Sequence, residues 1–129
     1  MPEARIERGH TGRLLYGRVR PNEDLVGAIA DLCRDNGFSA ALVRGSLGSL
    51  TEAVLETAGG RQVHVTGAAV ETLSLGGEVR TEAGVLQAHL SGTVSDAEGR
   101  VFGGRFVPGR NPVCVTFEVA LEEWIAEAP

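Results

Sequence analysis

The chain has 129 residues, 43% hydrophobic and 22% charged, which fits one compact globular domain over residues 1–129 and excludes a low-complexity or disordered segment. All twelve basic residues are arginine, so Schiff-base chemistry and lysine-dependent phosphate loops are excluded. The net charge is −5 and the arginines are scattered, unlike the concentrated positive face that grips duplex DNA, and direct DNA binding is not expected.

The opening residues 1–8 hold no apolar run, and nothing later approaches the ~20 apolar residues of a membrane span, so a cytoplasmic protein without membrane contact is expected. Residues 13–20 alternate as a strand that ends at the turn residues Pro21 and Asn22. Leu25, Ile29, Leu32 and Cys33 then recur at helical spacing. Asn22 is the expected cap, Glu23 and Asp24 suit the positive helix end, and Gly37 supplies the stop.

Short apolar runs separated by glycine follow at residues 40–44, 53–56, 62–65, 70–75, 85–95 and 100–106, each with the composition of a strand. The last run has the cleanest period of two: Val113, Val115, Phe117, Val119 and Leu121 alternate with Cys114, Thr116, Glu118 and Ala120. Eighteen glycines indicate many tight turns, and the 5% aromatic content implies an aliphatic core. One helix followed by strands in series predicts an α+β fold with a largely antiparallel sheet. A sheet of this size with one principal helix leaves a face or edge uncovered, which predicts a homo-oligomer. Cys33 and Cys114 stand apart with no Cys-x-x-Cys spacing and read as small buried hydrophobes, not as a disulfide.

Three places carry candidate chemistry. The segment Arg44-Gly-Ser-Leu-Gly-Ser-Leu50 follows a strand and offers either backbone N–H groups for an anion, with Arg44 beside them, or a plain tight turn. Glu71 precedes Gly76-Gly77, read as a strand end, and is either a base or ligand or an edge charge paired with an arginine. In the strand at 85–95, Gln87, His89, Ser91 and Thr93 share one side, while Leu86, Ala88, Leu90 and Val94 share the other. His89 is the best titratable group for acid–base work, or else a hydrogen-bonded wall residue of a pocket or subunit contact; His10 and His64 lie in a leader and near a polar turn. Its same-face neighbours Gln87 and Ser91 are poor metal ligands, and no His-x-His, His-Glu-x-x-His or Gly-x-Ser-x-Gly is present, so neither a metal nor another cofactor is expected.

In order and spacing, Arg20-Pro-Asn-Glu-Asp24, Gly45-Ser-Leu-Gly-Ser49, Glu71-Thr-Leu-Ser-Leu-Gly76, the stretch from His89 to Asp96, Gly99, Gly103-Gly104 and Val115-Thr-Phe-Glu-Val119 resemble the PPC domain, the plants-and-prokaryotes conserved domain also called domain of unknown function 296. The resemblance covers nearly the whole chain. It implies a mostly antiparallel sheet flanked by one principal helix and short helices, assembled as a homotrimer. Plant members carry AT-hooks before the domain, and this chain has no Arg-Gly-Arg-Pro hook. Many prokaryotic members look like metal binders with a His-x-His and a third histidine after the glycine pair. The matching positions here are His89, Ser91 and Arg105, which suit an anion better than a metal. The resulting expectation is a trimeric binding or assembly module with a polar pocket between subunits at His89, Ser91 and Arg105, open to a small anionic ligand or a protein partner. Second comes an enzyme on a small anionic metabolite, with His89 as acid or base and Glu71 assisting. A DNA-associated regulator is third.

Overall fold

The computed structural model describes residues 5–128, and of Ala68 only the backbone. Residues 1–4 of the leader without an apolar run lie outside the described residues. Six strands and one helix follow in the order β1 (Gly9–Val19), α1 (Leu25–Asp35), β2 (Ala41–Glu56), β3 (Gln62–Glu82), β4 (Val85–Ser95), β5 (Val101–Phe106) and β6 (Val113–Ala126). The strands form one sheet in the order β1-β6-β2-β3-β4-β5, and every pairing is antiparallel. The sheet curls until β5 also meets the far end of β2, at Leu55–Phe106 and Glu56–Arg105. That closure positions the site described below. α1 is the one helix among the described residues, so the short flanking helices implied by the resemblance are not among these elements.

α1 forms where the spacing predicts it, but its cap is Asp24 and not Asn22. Asp24 keeps an extended backbone while its carboxylate accepts from the Gly27 N–H at 2.9 Å, which satisfies an otherwise orphaned donor of the first turn. Asn22 instead turns the chain with φ 70°, and its N–H donates to the Val113 carbonyl. Gly37, with φ 73°, ends the helix as expected. The buried stripe of Leu25, Ile29 and Cys33 joins Leu50, Val79 and Phe117 of the sheet in one core. Fully burying a side chain such as Leu25 or Ile29 contributes about 1.5–3 kcal/mol. The core is mainly aliphatic, with Phe38, Phe106 and Phe117 as its buried aromatics.

Two glycine segments read as turns are interior strand. β2 runs unbroken through 44–50, because Gly48 lets β6 approach: a Cβ there would lie 2.7 Å from Phe117 Cα. β3 runs through Gly76-Gly77, because a Cβ at Gly77 would lie 2.0 Å from the His89 carbonyl oxygen. Four predicted short strands are therefore two long ones. β3 turns into β4 through Ala83 and Gly84, both at positive φ (51° and 79°), the signature of a type I′ hairpin. His10 belongs to β1 and not to a leader, while His64 lies in β3 close to the polar turn at 57–61, as expected. The alternation of β6 holds except at Val115, which is 70% exposed where the register with β2 shifts between Gly48 and Leu50.

The connections are anchored by Asn111, which is fully buried. Its side-chain oxygen accepts from the Val54 N–H at 2.9 Å, and its amide donates to the Val107 carbonyl at 2.8 Å. Asp24 accepts from the N–H groups of Gly109 and Asn111, at 2.9 and 3.0 Å, in addition to Gly27. One carboxylate thus ties the helix start to the turn before β6.

Candidate functional site

β4 keeps the predicted alternation. Leu90 and Val94 are buried, while Gln87, His89 and Ser91 are exposed on the opposite face. The curl of the sheet then brings three other strands alongside Ser91. Arg105 of β5 pairs in register with Ser91 on one side and Glu56 of β2 on the other, and Gly76 of β3 flanks Ser91. Glu56, Arg105, Ser91 and Gly76 consequently form one row across four strands.

Arg105 donates from Nη2 to Glu56 Oε1 at 3.1 Å, with the arginine side chain 68% and the glutamate 33% exposed. His89 Nε2 lies 2.5 Å from Glu82 Oε1, near the β3–β4 turn. Two concavities meet at the Glu56–Arg105 pair. The larger, about 670 Å³, is lined by Glu56, Thr57, Ser91, Thr93, Gly103 and Arg105 among others. The smaller, about 240 Å³, is lined by Glu56, His89, Arg105, Phe106, Val107 and Pro108 among others. Thr93 Oγ1 shares a hydrogen bond with Ser74 Oγ at 2.8 Å.

Of the residues singled out from sequence, the structure brings together His89, Ser91 and Arg105. Gln87 pairs in register with Arg80 and lines neither concavity. Arg44 lies 3.4 Å from Glu122 of β6, away from both. Glu71 sits between Ser49 and Ser95 in the sheet interior, not at an edge, and forms no ion pair among the described residues. Sequence reasoning missed Glu56 and Glu82. Glu56 ends a recognisable strand just before Thr57-Ala-Gly-Gly, but its partner lies 49 residues away and is reached only through the curl.

The row carries a guanidinium, a carboxylate and a hydroxyl, with an imidazole–carboxylate pair beside it. Donors and acceptors both face the concavities, and each charge has an opposite neighbour. Ser91 makes no hydrogen bond to a base among the described residues, so no nucleophile–base pair is assembled there. Elsewhere, the Tyr16 hydroxyl and then Arg18 hold the Glu118 carboxyl below its ordinary range, and Arg13 does the same for Glu123. Burial pushes the Cys33 thiol up to about 11, and Cys33 and Cys114 form no disulfide. No helix among the described residues is long and apolar enough to cross a membrane.

The family model described as the Plants and Prokaryotes Conserved (PCC) domain matches residues 6–125. The chain is 31% identical over 112 residues to the bifunctional protein GlmU of Synechococcus sp. (strain JA-2-3B'a(2-13)); the match covers 87% of this chain and 16% of that protein, so the chain spans about a sixth of its relative's length. Among solved structures, a plant- and prokaryote-conserved (PPC) protein of Pyrococcus horikoshii is 26% identical with a TM-score of 0.80, covering 93% of this chain and 84% of that one. A metal-containing protein of Archaeoglobus fulgidus has the same fold, with a TM-score of 0.80 at 22% identity, covering 98% and 89% of the two chains.

Proposed function

The chain belongs to the Plants and Prokaryotes Conserved domain family, and from that premise we propose that it is a homotrimeric binding and assembly module whose polar pocket, at His89, Ser91 and Arg105, lies between subunits. The observation that carries the assembly is the uncovered face of the sheet. Leu14, Tyr16, Leu47, Leu73 and Val101 stand between 54% and 70% exposed. The register places Leu14, Tyr16 and Leu47 on one face with Glu118, away from the core. A sheet face this apolar calls for a second layer, and copies of the same chain supply one. Leu47 and Leu73 also flank a parting of the sheet: β2 and β3 pair at Leu42–Glu78 and again at Ser49–Glu71, but not over 43–48 and 72–77.

The pocket does not suit a metal. The three positions where family members look like metal binders offer one imidazole already bonded to Glu82, one neutral hydroxyl and one guanidinium bonded to Glu56. A stable zinc site needs three or four converging N, S or O ligands, and a permanent cation repels the ion. Among the described residues, no three His, Cys, Asp or Glu side chains converge to hold one. Binding is favoured over catalysis because no base stands within hydrogen-bond reach of the Ser91 hydroxyl among the described residues. The GlmU relative, in which the matching segment is a small part of a longer bifunctional protein, supports a module that works beside other machinery.

Light scattering at micromolar concentration tests the assembly. The expected mass is three times that of the 13.5 kDa chain, and the mass of a single chain overturns it. Leu47→Glu together with Leu73→Glu is expected to yield monomers with an unchanged circular dichroism spectrum. Metal analysis after chelator-free purification tests the pocket, and one metal per chain would overturn the non-metal reading.

A further inference from the structure

We propose that the larger concavity binds the zwitterionic head group of a free α-amino acid, the ligand's carboxylate on Arg105 and its ammonium on Glu56; this rests on reading that concavity as a ligand site.

The first argument is charge. A lone anion approaching Arg105 meets Glu56, whose carboxylate oxygen is 3.1 Å from the guanidinium, and a lone cation approaching Glu56 meets Arg105. A ligand carrying both charges on either side of one carbon places each against its opposite, so the four charges alternate in sign. The pair is also unsaturated. Their hydrogen bond uses one guanidinium nitrogen and one carboxylate oxygen, whereas a guanidinium has five N–H donors and a carboxylate accepts through two oxygens. Charge-assisted hydrogen bonds of this kind are about twice as strong as neutral ones.

The second argument is what stands beside the pair. Ser91 is the register neighbour of Arg105 and its hydroxyl makes no hydrogen bond among the described residues, so it is a second donor for the ligand carboxylate. The lining contains no aromatic side chain on which a base or ring could stack. Its volume, about 670 Å³, falls within the range of small-molecule sites.

The third argument is Gly103. It is not among the positive-φ residues, and an added Cβ would find its nearest atom, Thr93 Cγ2, at 3.4 Å. Neither backbone conformation nor close backbone approach demands glycine there. The missing side chain leaves the floor of the concavity open beside Arg105.

Calorimetric titration of the intact protein with free glycine and L-serine tests the proposal against acetate and methylammonium as single-charge probes. The amino acids are expected to bind at least ten times more tightly than either single-charge probe. Arg105→Gln and Glu56→Gln are each expected to weaken amino-acid binding at least tenfold. Gly103→Val, which fills the floor without touching a charge, is expected to weaken it severalfold. Circular dichroism confirms that each variant folds. Acetate binding as tightly as glycine overturns the zwitterion while leaving a ligand site in place. Amino-acid binding that survives both charge substitutions places the ligand elsewhere and also overturns the proposal. Silence from all four probes overturns the proposal, and with unmoved cleft resonances in a parallel NMR titration it removes the small-ligand reading as well.

Discussion

Two polar clusters lie within a few residues of each other along β2 and are built on opposite principles. Around Asn111, both ends of the side-chain amide and both oxygens of Asp24 are bonded to backbone groups, and Asn111 is sealed from solvent. Around Arg105, one hydrogen bond joins an exposed guanidinium to a half-buried carboxylate, and the Ser91 hydroxyl beside them has none among the described residues. Val54 donates to the first cluster, and Glu56, two residues on, belongs to the second. The difference separates polar groups that hold the chain folded from polar groups held ready for something else. Buried amides persist only when satisfied, whereas an exposed ion pair adds little stability.

The comparison breaks most visibly at Asn111. Asn111→Ala leaves the buried Val54 N–H without an acceptor and the Val107 carbonyl with only the Arg110 N–H, and a loss of about 3 kcal/mol is expected in denaturant unfolding. Asp24→Ala removes the helix cap together with two loop contacts, for an expected loss of about 2 kcal/mol. If either variant unfolds like the wild type, the first cluster is not the anchor described.

A third kind of polar group, half-buried carboxylates paired with exposed arginines, sharpens the contrast through pH. Glu118 and Glu123 are held below the ordinary carboxylate range by Tyr16 with Arg18 and by Arg13. A depressed carboxyl contributes stability that is present above its unfolded pKa and is lost as pH falls through its folded value. The unfolding midpoint is therefore expected to hold steady from pH 7 to about 5 and to fall below about pH 4.3. Glu118→Gln should make that fall shallower, and an unchanged acid limb would show that the β1–β6 seam does not depend on this pair.

Much of the fold was legible in the chain because local periodicity reports burial directly: the α1 stripe, the two-faced β4 and most of β6 all follow their predicted faces. What failed was punctuation. Gly48 and Gly77 were read as breaks because glycine permits turns, yet each is needed where one strand backbone presses on another, a demand visible only after the strands pair. Asn22 and Asp24 are both good capping residues, and the choice between them was made by Gly109 and Asn111, far along the chain. In the site, His89, Ser91 and Arg105 were singled out as candidates by period two and the family resemblance. Glu56 was not, because the β2–β5 closure that places it has no local signal.

The most direct test of the separation between fold-keeping and ligand-ready polar groups is the equilibrium unfolding midpoint of Arg105→Gln, measured without ligand at the wild-type protein concentration. The expected change is within about 0.5 kcal/mol, because an ion pair joined by one hydrogen bond, with its guanidinium exposed, contributes little. A loss of about 2 kcal/mol or more, on the scale of Asp24→Ala, would show that Arg105 holds the sheet closed against Glu56 and would contradict the account.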